Sequence, residues 1–512
     1  MIICGVKLSH DGAVALIEDG VLRFSIEAEK VGGAPRYSRI ERLELIEEIL
    51  AAEGVRPGDI DQIVVDGWYD EAKTGVPSAP TSLGGRRLAV PTARYVDAEA
   101  GVEILDRARF DGDGLGPLSR GYASYPHVAG HVIGSYAASP AAQNRDDALV
   151  LAWDGGMLPM LHRVSAARGR VEALGPLFPF VGNVFAAFSK CFEPYRRDQS
   201  VMTPDELASF DLETPGKAMA YAALGSVRED VYPVFDRLFD EILAIDGEAA
   251  DRLAETAYQR RDALFPGLSS ADLIASFQAY LGEALLDAFK SRLRRLGEAA
   301  PHLVLSGGCA LNIKWNSRLR DSGLFASVWA PPFTNDSGGA IGAAMCEAAR
   351  MHGRFVMQWS VYSGPQLGAR TPESRWRARP CDAARLAKVL HETGEPVAVL
   401  HGRAELGPRA LGNRSLLAAP GPGMKARLNA VKGREDYRPV APICLEDRAA
   451  HVFRPGGRDP YMLFEHRPGP GWEDRIPAVV HLDGTARLQT LAHDAAGTQA
   501  GAILKAYEAL SA

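Results

Sequence analysis

Two imidazoles four residues apart, in the string His127-Val-Ala-Gly-His131, would point to one side of a helix and could grip a single cation. A histidine pair leaves a metal undercoordinated, and carboxylates are the natural completion. Asp154 in Trp153-Asp154-Gly155-Gly156 and Asp336 in Asn335-Asp336-Ser337-Gly338-Gly339 are the candidates. Each falls where α/β proteins place ligands, at the carboxyl end of a strand. Two histidines with two oxygens suit iron, manganese or zinc alike. An isolated H-x-x-x-H is more often a helix face with two partly buried histidines satisfied by neighbours, so the carboxylates give the motif its weight.

Ser306-Gly307-Gly308, followed by Asn312, lies at a strand-to-helix transition. Paired glycines there let a backbone approach a phosphate while amides at the next helix start face the anion. Gly338-Gly339 repeats the arrangement after Asp336. Close strand-helix packing explains either pair alone; together they outline a cleft. The chain has no G-x-x-x-x-G-K-[ST] and no well-placed G-x-G-x-x-G, so neither a P-loop enzyme nor a Rossmann dehydrogenase is supported. His10 and Asp11, at a hairpin tip, would face such a cleft, where a histidine can serve as a general base. Turn chemistry is the plainer account of both.

A third group of residues is cationic. Gly402-Arg403-Ala404-Glu405-Leu406-Gly407-Pro408-Arg409-Ala410-Leu411-Gly412-Asn413-Arg414-Ser415 sets arginines in loop-forming sequence, where guanidinium forks can hold phosphates or carboxylates. Lys432, Arg434 and Arg438 follow, then Arg487. Surface salt bridging explains scattered arginines better than this cluster, which in a chain of net charge −7 wants a polyanionic ligand.

The elements that must position these groups follow from pattern. At 512 residues the chain predicts two or three folded units, and 46% hydrophobic with 24% charged residues is ordinary globular composition. No clustered basic face points to nucleic acid. Cys4, Cys191, Cys309, Cys346, Cys381 and Cys444 form no C-x-x-C pair, which argues against a disulfide framework or zinc knuckle. With no basic leader before Ile2 and no long apolar span, the expected location is cytoplasmic, away from membranes. Residues 2–26 read as a meander of strands broken at Asp11-Gly12 and Asp19-Gly20, as in ribonuclease-H-like, actin-like domains. Residues 70–86 read as a long surface loop, 148–153 and 302–305 as strands, 229–299 as a mostly helical insertion and 339–350 as an Ala-rich helix. Residues 353–380 read as a linker before a second α/β unit, with a helix near 382–392 and a strand at 396–400. No internal repeat is visible.

Taken in order, these motifs resemble one family, the O-carbamoyltransferases of antibiotic tailoring and nodulation-factor synthesis. The resemblance covers nearly the whole chain and rests on His10-Asp11-Gly12-Ala13, His127-x-x-x-His131, Gly216-Lys217-Ala218-Met219, Ser306 to Asn312, Asn335 to Ala340, Gly407 to Ser415 and Arg434 to Pro439. It implies an α/β protein with an actin-like (ribonuclease-H-like, Kae1-type) N-terminal domain over residues 1–355. A linker over 356–380 and a smaller Sua5/YrdC-like α/β domain over 381–512 complete it. By this resemblance the C-terminal domain makes carbamoyl-adenylate from carbamoyl phosphate and ATP with Mg2+, and the N-terminal domain transfers the carbamoyl group to a hydroxyl of a small-molecule natural product. His127, His131, Asp154 and Asp336 are implied as ligands of Fe2+ or another divalent metal, with His10 and Asp11 at the transfer site. Lys217, Gly307, Gly308, Asn312, Arg409, Arg414, Lys432, Arg438 and Arg487 are implied as holders of nucleotide and phosphate.

The expected partner is a small-molecule hydroxyl acceptor, with no nucleic acid and no membrane, and a homodimer is allowed. Loops 70–86 and 183–215 are expected to shape the acceptor pocket. The chain departs from the family in lacking an Asn-x-Ser-Phe-Asn segment near its end, and in the apolar Gly155-Gly156-Met157 after Asp154. The alternatives are a threonylcarbamoyl-type tRNA modifier, against which the weak basic character argues, and a non-transferring actin-like ATPase or binding module, which leaves the cation cluster unexplained.

Overall fold

The computed structural model describes all residues except 71–74, 97–102, 243–246, 298–299, 369–372, 493–497 and 512. The opening apolar runs form the expected meander: β1 (Ile2–Lys7), β2 (Ala13–Glu18) and β3 (Val21–Glu27) pair antiparallel. Asp19 and Gly20 both take positive φ (49° and 84°), as a tight turn joining Glu18 to Val21 demands. Helix α1 (Glu44–Ala52) crosses back to β4 (Gln62–Asp66), parallel to β1. Residues 70–86, expected as a loop, instead supply a strand: β5 (Ser78–Leu83) pairs with β6 (Arg86–Pro91), and 71–74 lie outside the described residues. Ser78–Leu83 carries no polar/apolar alternation, and Pro80 within it and the glycines at 84 and 85 gave it the look of a loop. β7 (Ala108–Phe110) and β8 (Tyr122–Tyr125) complete a sheet of order β3-β2-β1-β4-β8-β7.

After α2 (His127–Ala138) and α3 (Pro140–Asn144) come β9 (Ala148–Ala152), β10 (Met160–Ser165) and β11 (Arg170–Pro176), again an antiparallel meander. Six helices follow: α4 (Val184–Lys190), α5 (Pro204–Tyr221), α6 (Tyr232–Ile242), α7 (Gly247–Gln259), α8 (Arg261–Leu264) and α9 (Ser270–Leu296). Residues 183–215, expected as a loop, thus contain α4 and most of α5; Thr203 and Glu206 form a capping box that starts α5. Residues 229–299 are mostly helical, as expected, and their Phe235, Phe265, Phe277 and Phe289, with Phe188 of α4, fill a core against β9 and β12 (His302–Ser306). With α10 (Ile313–Arg320) and β13 (Ser327–Trp329), the second sheet takes the order β11-β10-β9-β12-β13, with β9, β12 and β13 parallel. Both sheets therefore share one plan, a three-stranded meander followed by parallel strands. The chain repeats its topology without repeating its sequence. This doubled plan is α/β, the class expected from the sequence.

Helix α11 (Gly339–His352) packs between β1 and α2 at unusually close range. A Cβ on Gly342 would sit 2.3 Å from the Gly130 carbonyl oxygen, and one on Gly134 would sit 2.9 Å from Gly342 Cα. Three glycines thus let the backbones of α2 and α11 touch.

Part of the expected linker is fastened: Leu22 donates to the Gln358 carbonyl and Ser25 to the Ser363 carbonyl at 2.8 Å, so residues 358–363 run along β3. The C-terminal part holds α12 (Ala383–Thr393), β14 (Val397–Leu400), β15 (Arg414–Leu417), α13 (Met424–Val431), β16 (Ile443–Leu445), α14 (Glu446–Val452), β17 (Phe453–Arg454), β18 (Arg467–Pro468), β19 (Gln489–Leu491) and α15 (Gln499–Ser511). Among the described residues its ladders are all two-stranded: β14 with β15, β16 with β19 and β17 with β18. Helix α15 packs Ile503 against Ala387 and Leu390 of α12 and Val399 of β14. All six cysteines are free. Among the described residues no helix is long and apolar enough to cross a membrane.

Candidate active site

The close crossing of α2 and α11 decides where the paired histidines go. His127 and His131 open α2, Asp336 lies in the turn that starts α11, and Asp154 follows β9. One ligand atom from each lies within 4.8 Å of the others. All four side chains are buried. The Nε2 atoms of His127 and His131 both stand 3.3 Å from Asp336 Oδ1, yet neither finds a hydrogen-bond partner among the described residues. Two orphaned imidazole nitrogens aimed at two carboxylates are what a cation site requires, since each would otherwise forfeit its hydration for nothing. Asp66 Oδ2 lies 2.7 Å from His127 Nδ1, which orients the ring and turns Nε2 inward. Ser306 donates to the His131 carbonyl at 2.9 Å and lies 3.3 Å from His131 Nδ1. Tyr95 donates its hydroxyl to Asp154 Oδ2 at 2.7 Å, and the Gly308 amide donates to Asp154 Oδ1 at 2.6 Å.

Sequence reasoning missed Lys7, Asp66 and Tyr95. The ammonium of Lys7 is fully buried at the end of β1, 2.9 Å from Asp336 Oδ2, 3.3 Å from Asp66 Oδ2 and 2.8 Å from Ser9 Oγ. Burial works against that charge, but Asp336 and Asp66 outweigh it and raise the Lys7 pKa. For His127 too, burial is outweighed by Asp66 and Asp336, which lift it to about 10. Burial would raise Asp336; Lys7, His127 and His10 instead hold it well below the ordinary carboxylate range. A lysine and an aspartate, each ending an apolar strand of the first sheet, were the available signal. His10 reaches the same group, with Nε2 at 3.5 Å from Asp336 Oδ2 and Nδ1 at 2.9 Å from Asp11 Oδ2. Asp11 has φ 53°, so the hairpin tip is bent to place this pair. Burial disfavours the imidazolium, and Asp336 with Asp11 raises the His10 pKa despite it.

The glycine loop after β12 runs from this centre toward the cations. Gly307 takes φ +86°, and a Cβ there would meet the Trp153 carbonyl oxygen at 2.3 Å, so the loop closes onto the strand that carries Asp154. Asn312 uses its side-chain oxygen to cap α10, accepting from Lys314 and Trp315 amides at 3.1 and 3.4 Å. The Leu311 carbonyl accepts a hydrogen bond from Arg409 at 3.1 Å. Arg409 has its pKa pushed down to about 9 by burial and by Arg487; Arg487 is pushed to about 10 by burial, Arg438 and Arg434. Burial, Arg434 and Arg487 lower Lys432 as well. These neighbouring cations thus depress one another's pKa, as like charges held close together do. Buried Arg487 Nε has no hydrogen-bond partner among the described residues.

Two of the expected anion holders are placed otherwise. Arg414 donates to the carbonyls of His401, Asn413 and Gly402 at 2.7, 2.8 and 3.0 Å, which makes it a brace for its own loop. Lys217 is half-exposed on α5 and pairs with Glu213 at 2.6 Å, within the electrostatic reach of Arg438 through that glutamate. Three further residues hold the cationic loop and carry no motif signal. Glu405 Oε1 accepts from the Leu411, Asn413 and Arg414 amides, a nest of three donors. Lys30 donates to Glu27 and to the Glu405 and Gly407 carbonyls, and the Gly407 amide donates to Glu27 at 3.2 Å. These contacts fasten the loop to the first sheet.

A family model described as the carbamoyltransferase N-terminus matches residues 2–345, and one described as the carbamoyltransferase C-terminus matches residues 387–512. Nodulation protein U of Bradyrhizobium diazoefficiens is 44% identical over 96% of this chain and 87% of its own. The 3'-hydroxymethylcephem-O-carbamoyltransferase of Streptomyces clavuligerus is 33% identical over 96% of this chain and 87% of its own. Among solved structures, an activator of 2-hydroxyisocaproyl-CoA dehydratase from Clostridium difficile aligns at TM-score 0.35 and 12% identity over 70% of this chain and 100% of its own, an overlap too slight to carry fold or ligand.

Proposed function

The chain belongs to the carbamoyltransferase family and is an O-carbamoyltransferase acting on a small-molecule hydroxyl, and we propose that it does so through ATP, with its two half-reactions divided between two sites. The observation that supports the division is a single loop, residues 306–312. At one end Ser306 and Gly308 hold His131 and Asp154; at the other, the Leu311 carbonyl holds Arg409.

In this reading residues 381–512 form a Sua5/YrdC-like adenylating domain and residues 1–355 the transfer domain. Arg409, Lys432, Arg438 and Arg487 neutralise ATP and carbamoyl phosphate and align them. Hydrolysis of carbamoyl phosphate gives carbamate and phosphate. A carbamate oxygen then attacks the α-phosphorus of ATP, pyrophosphate leaves, and carbamoyl-adenylate forms. In the transfer domain the acceptor oxygen attacks the carbamoyl carbon and AMP leaves. The hydroxyl proton passes to His10, which Asp11 orients through Nδ1.

His127, His131, Asp154 and Asp336 would hold the divalent metal, Fe2+ in our proposal, whose orphaned imidazole donors fit it. Such an ion, when bound, supplies Lewis-acid polarisation near the reacting oxygen. Lys7 keeps one oxygen of Asp336 occupied and leaves the other facing the histidines. The test is exchange of labelled pyrophosphate into ATP: it is expected only when carbamoyl phosphate is present, and exchange that ignores carbamoyl phosphate, or none in folded protein, refutes the proposal.

A further inference from the structure

Helix α10 starts directly after the glycine loop and lies where the two family-matched parts of the chain meet. Lys314, Asn316, Ser317 and Arg320, all on this helix, reach across to the C-terminal part. Lys314 Nζ stands 2.5 Å from both Glu465 Oε2 and Asp483 Oδ2. Asn316 donates through Nδ2 to the Ala310 carbonyl at 2.8 Å and to the Leu463 carbonyl at 2.9 Å, so one amide spans from the loop to the C-terminal part. Ser317 Oγ accepts from the Glu465 amide at 2.8 Å, and Arg320 donates to the Glu465 carbonyl at 3.1 Å. The reaction described above makes no use of Lys314.

The two carboxylates that Lys314 holds belong to segments that pair with each other. His466 and Ala486 exchange backbone hydrogen bonds at 2.9 and 2.7 Å. Asp483 Oδ1 accepts from the Thr485 amide and hydroxyl at 3.0 and 2.7 Å, which fixes the turn leading into that pairing. Arg487 follows Ala486, and among the described residues no hydrogen bond holds its Nε, so its backbone must place it. On the other segment Asp459 accepts from the Leu463 and Phe464 amides, each at 2.9 Å, and its charge bears on both Arg409 and Arg487. An ammonium between Glu465 and Asp483 thus clips together the two stretches of backbone that lead to Arg487. Burial works against the charge on Lys314, but Glu465 and Asp483 outweigh it. Burial likewise opposes the charge on Asp483, whose pKa Lys314 nonetheless holds down at about 2. Both groups therefore stay charged across the neutral range, and removing the ammonium would leave two carboxylates face to face.

We propose that Lys314 is a positioning residue for the adenylating half-reaction, which holds Arg487 at a fixed distance from the glycine loop by clamping Glu465 to Asp483. The inference rests on the ATP-dependent reading given above. The relay is short. It runs from Lys314 to Asp483, from Asp483 to Thr485, and two residues on to Arg487, whose charge bears on Arg409, the residue that holds the Leu311 carbonyl. The side chains of Lys314, Glu465 and Asp483 are 28%, 25% and 24% exposed, so the clip acts through geometry more than through raw ion-pair strength.

Pyrophosphate exchange in the full chain tests this with Lys314→Met, Lys314→Arg, Arg487→Met and the double variant Lys314→Met/Arg487→Met. Lys314→Met should lower carbamoyl-phosphate-dependent exchange roughly tenfold, and Lys314→Arg, which keeps the charge, should recover it to within about threefold of wild type. Lys290→Met, which strips an exposed ammonium from α9, should change nothing. The double variant reads the relay: in a chain already lacking the Arg487 guanidinium, Lys314→Met should add less than about twofold. Losses that multiply would make Lys314 a general brace and overturn the proposal, as would full exchange in Lys314→Met. Should Lys314→Met fail to fold, Asp483→Asn breaks the same relay while Glu465 still satisfies the ammonium, and carries the same expectations. Hydrogen–deuterium exchange of the amides at 463–467 and 484–487 gives a readout free of catalysis, and should quicken in Lys314→Met but not in Lys314→Arg. Wild-type pyrophosphate exchange with unmoved amides and activity in Lys314→Met removes the clip alone. Quickened amides in that variant, with no pyrophosphate exchange in the wild type, remove the ATP-dependent reading alone.

Discussion

Arg409 donates to the carbonyl of Leu311 at 3.1 Å across 98 residues of chain, and so ties the cation chamber to the loop whose Gly308 amide holds Asp154. Arg409→Ala removes both a buried cation and this tie. Carbamoyl-phosphate-dependent pyrophosphate exchange should fall about a hundredfold, of the order expected when one preorganised electrostatic contact to a developing charge is lost. Metal content by elemental analysis should stay near that of the wild type. Loss of metal with unchanged exchange would reverse the assignment.

The glycine contact between α2 and α11 sets the metal geometry from outside the ligands. Gly342→Val would force the Gly130 backbone away, since even a Cβ would approach its carbonyl oxygen to 2.3 Å. Overpacking of this kind costs about 1–3 kcal/mol, and spreading His127 and His131 from Asp336 should weaken metal retention roughly tenfold or more. Competition with a chelator measures it; wild-type retention would show that the crossing is not what aligns the quartet.

Burial pushes the Glu27 carboxyl up to about 7 from an ordinary 4.5, with Lys30 only partly offsetting it. Between about pH 4.5 and 7 the folded chain thus holds a proton that the unfolded chain has released. The contribution of this carboxyl to stability must then fall as pH rises through that window, by something of the order of 3 kcal/mol. Denaturant unfolding of the wild type and Glu27→Gln across that range should show the wild type losing ground with rising pH. A constant difference would contradict the proton accounting.

Asn312 is placed as a helix cap. Asn312→Ala should cost about 1 kcal/mol of stability, while Asn312→Asp, which keeps the accepting oxygen, should cost less. Equal losses for both would give the side chain another role.

Much of the site was legible because its residues sit where backbone geometry leaves little choice. His127 and His131 share a face by helical spacing and Asp154 follows a strand, as the α/β plan requires, whereas Asp336, expected at a strand end, lies in the turn that starts α11, seven residues beyond β13. The reach of His10 toward Asp336 follows from the hairpin at Asp11. What remained hidden was long-range pairing. Nothing local distinguishes Lys7 from a lysine at a strand end, and only the tertiary approach of Asp66 and Asp336 makes it a buried cation. The same holds for Tyr95, for the Glu27 and Lys30 fastening, and for the carbonyls that engage Arg414. Residues 70–86 misread because turn-forming residues outnumber the strand formers whose pairing with 86–91 is nonetheless satisfied. The doubled sheet plan left no trace as a repeat, since topology constrains where side chains are buried and not which ones they are.

The division of labour is the central claim, and Asp336→Asn probes it most directly. Asp336 touches Lys7, His10, His127 and His131 and none of the chamber cations. In protein shown to be folded, pyrophosphate exchange and transfer of the carbamoyl group to a hydroxyl acceptor are measured side by side. The account predicts that Asp336→Asn keeps exchange within about threefold while transfer falls by roughly a thousandfold or more. Loss of both activities in equal measure would contradict it.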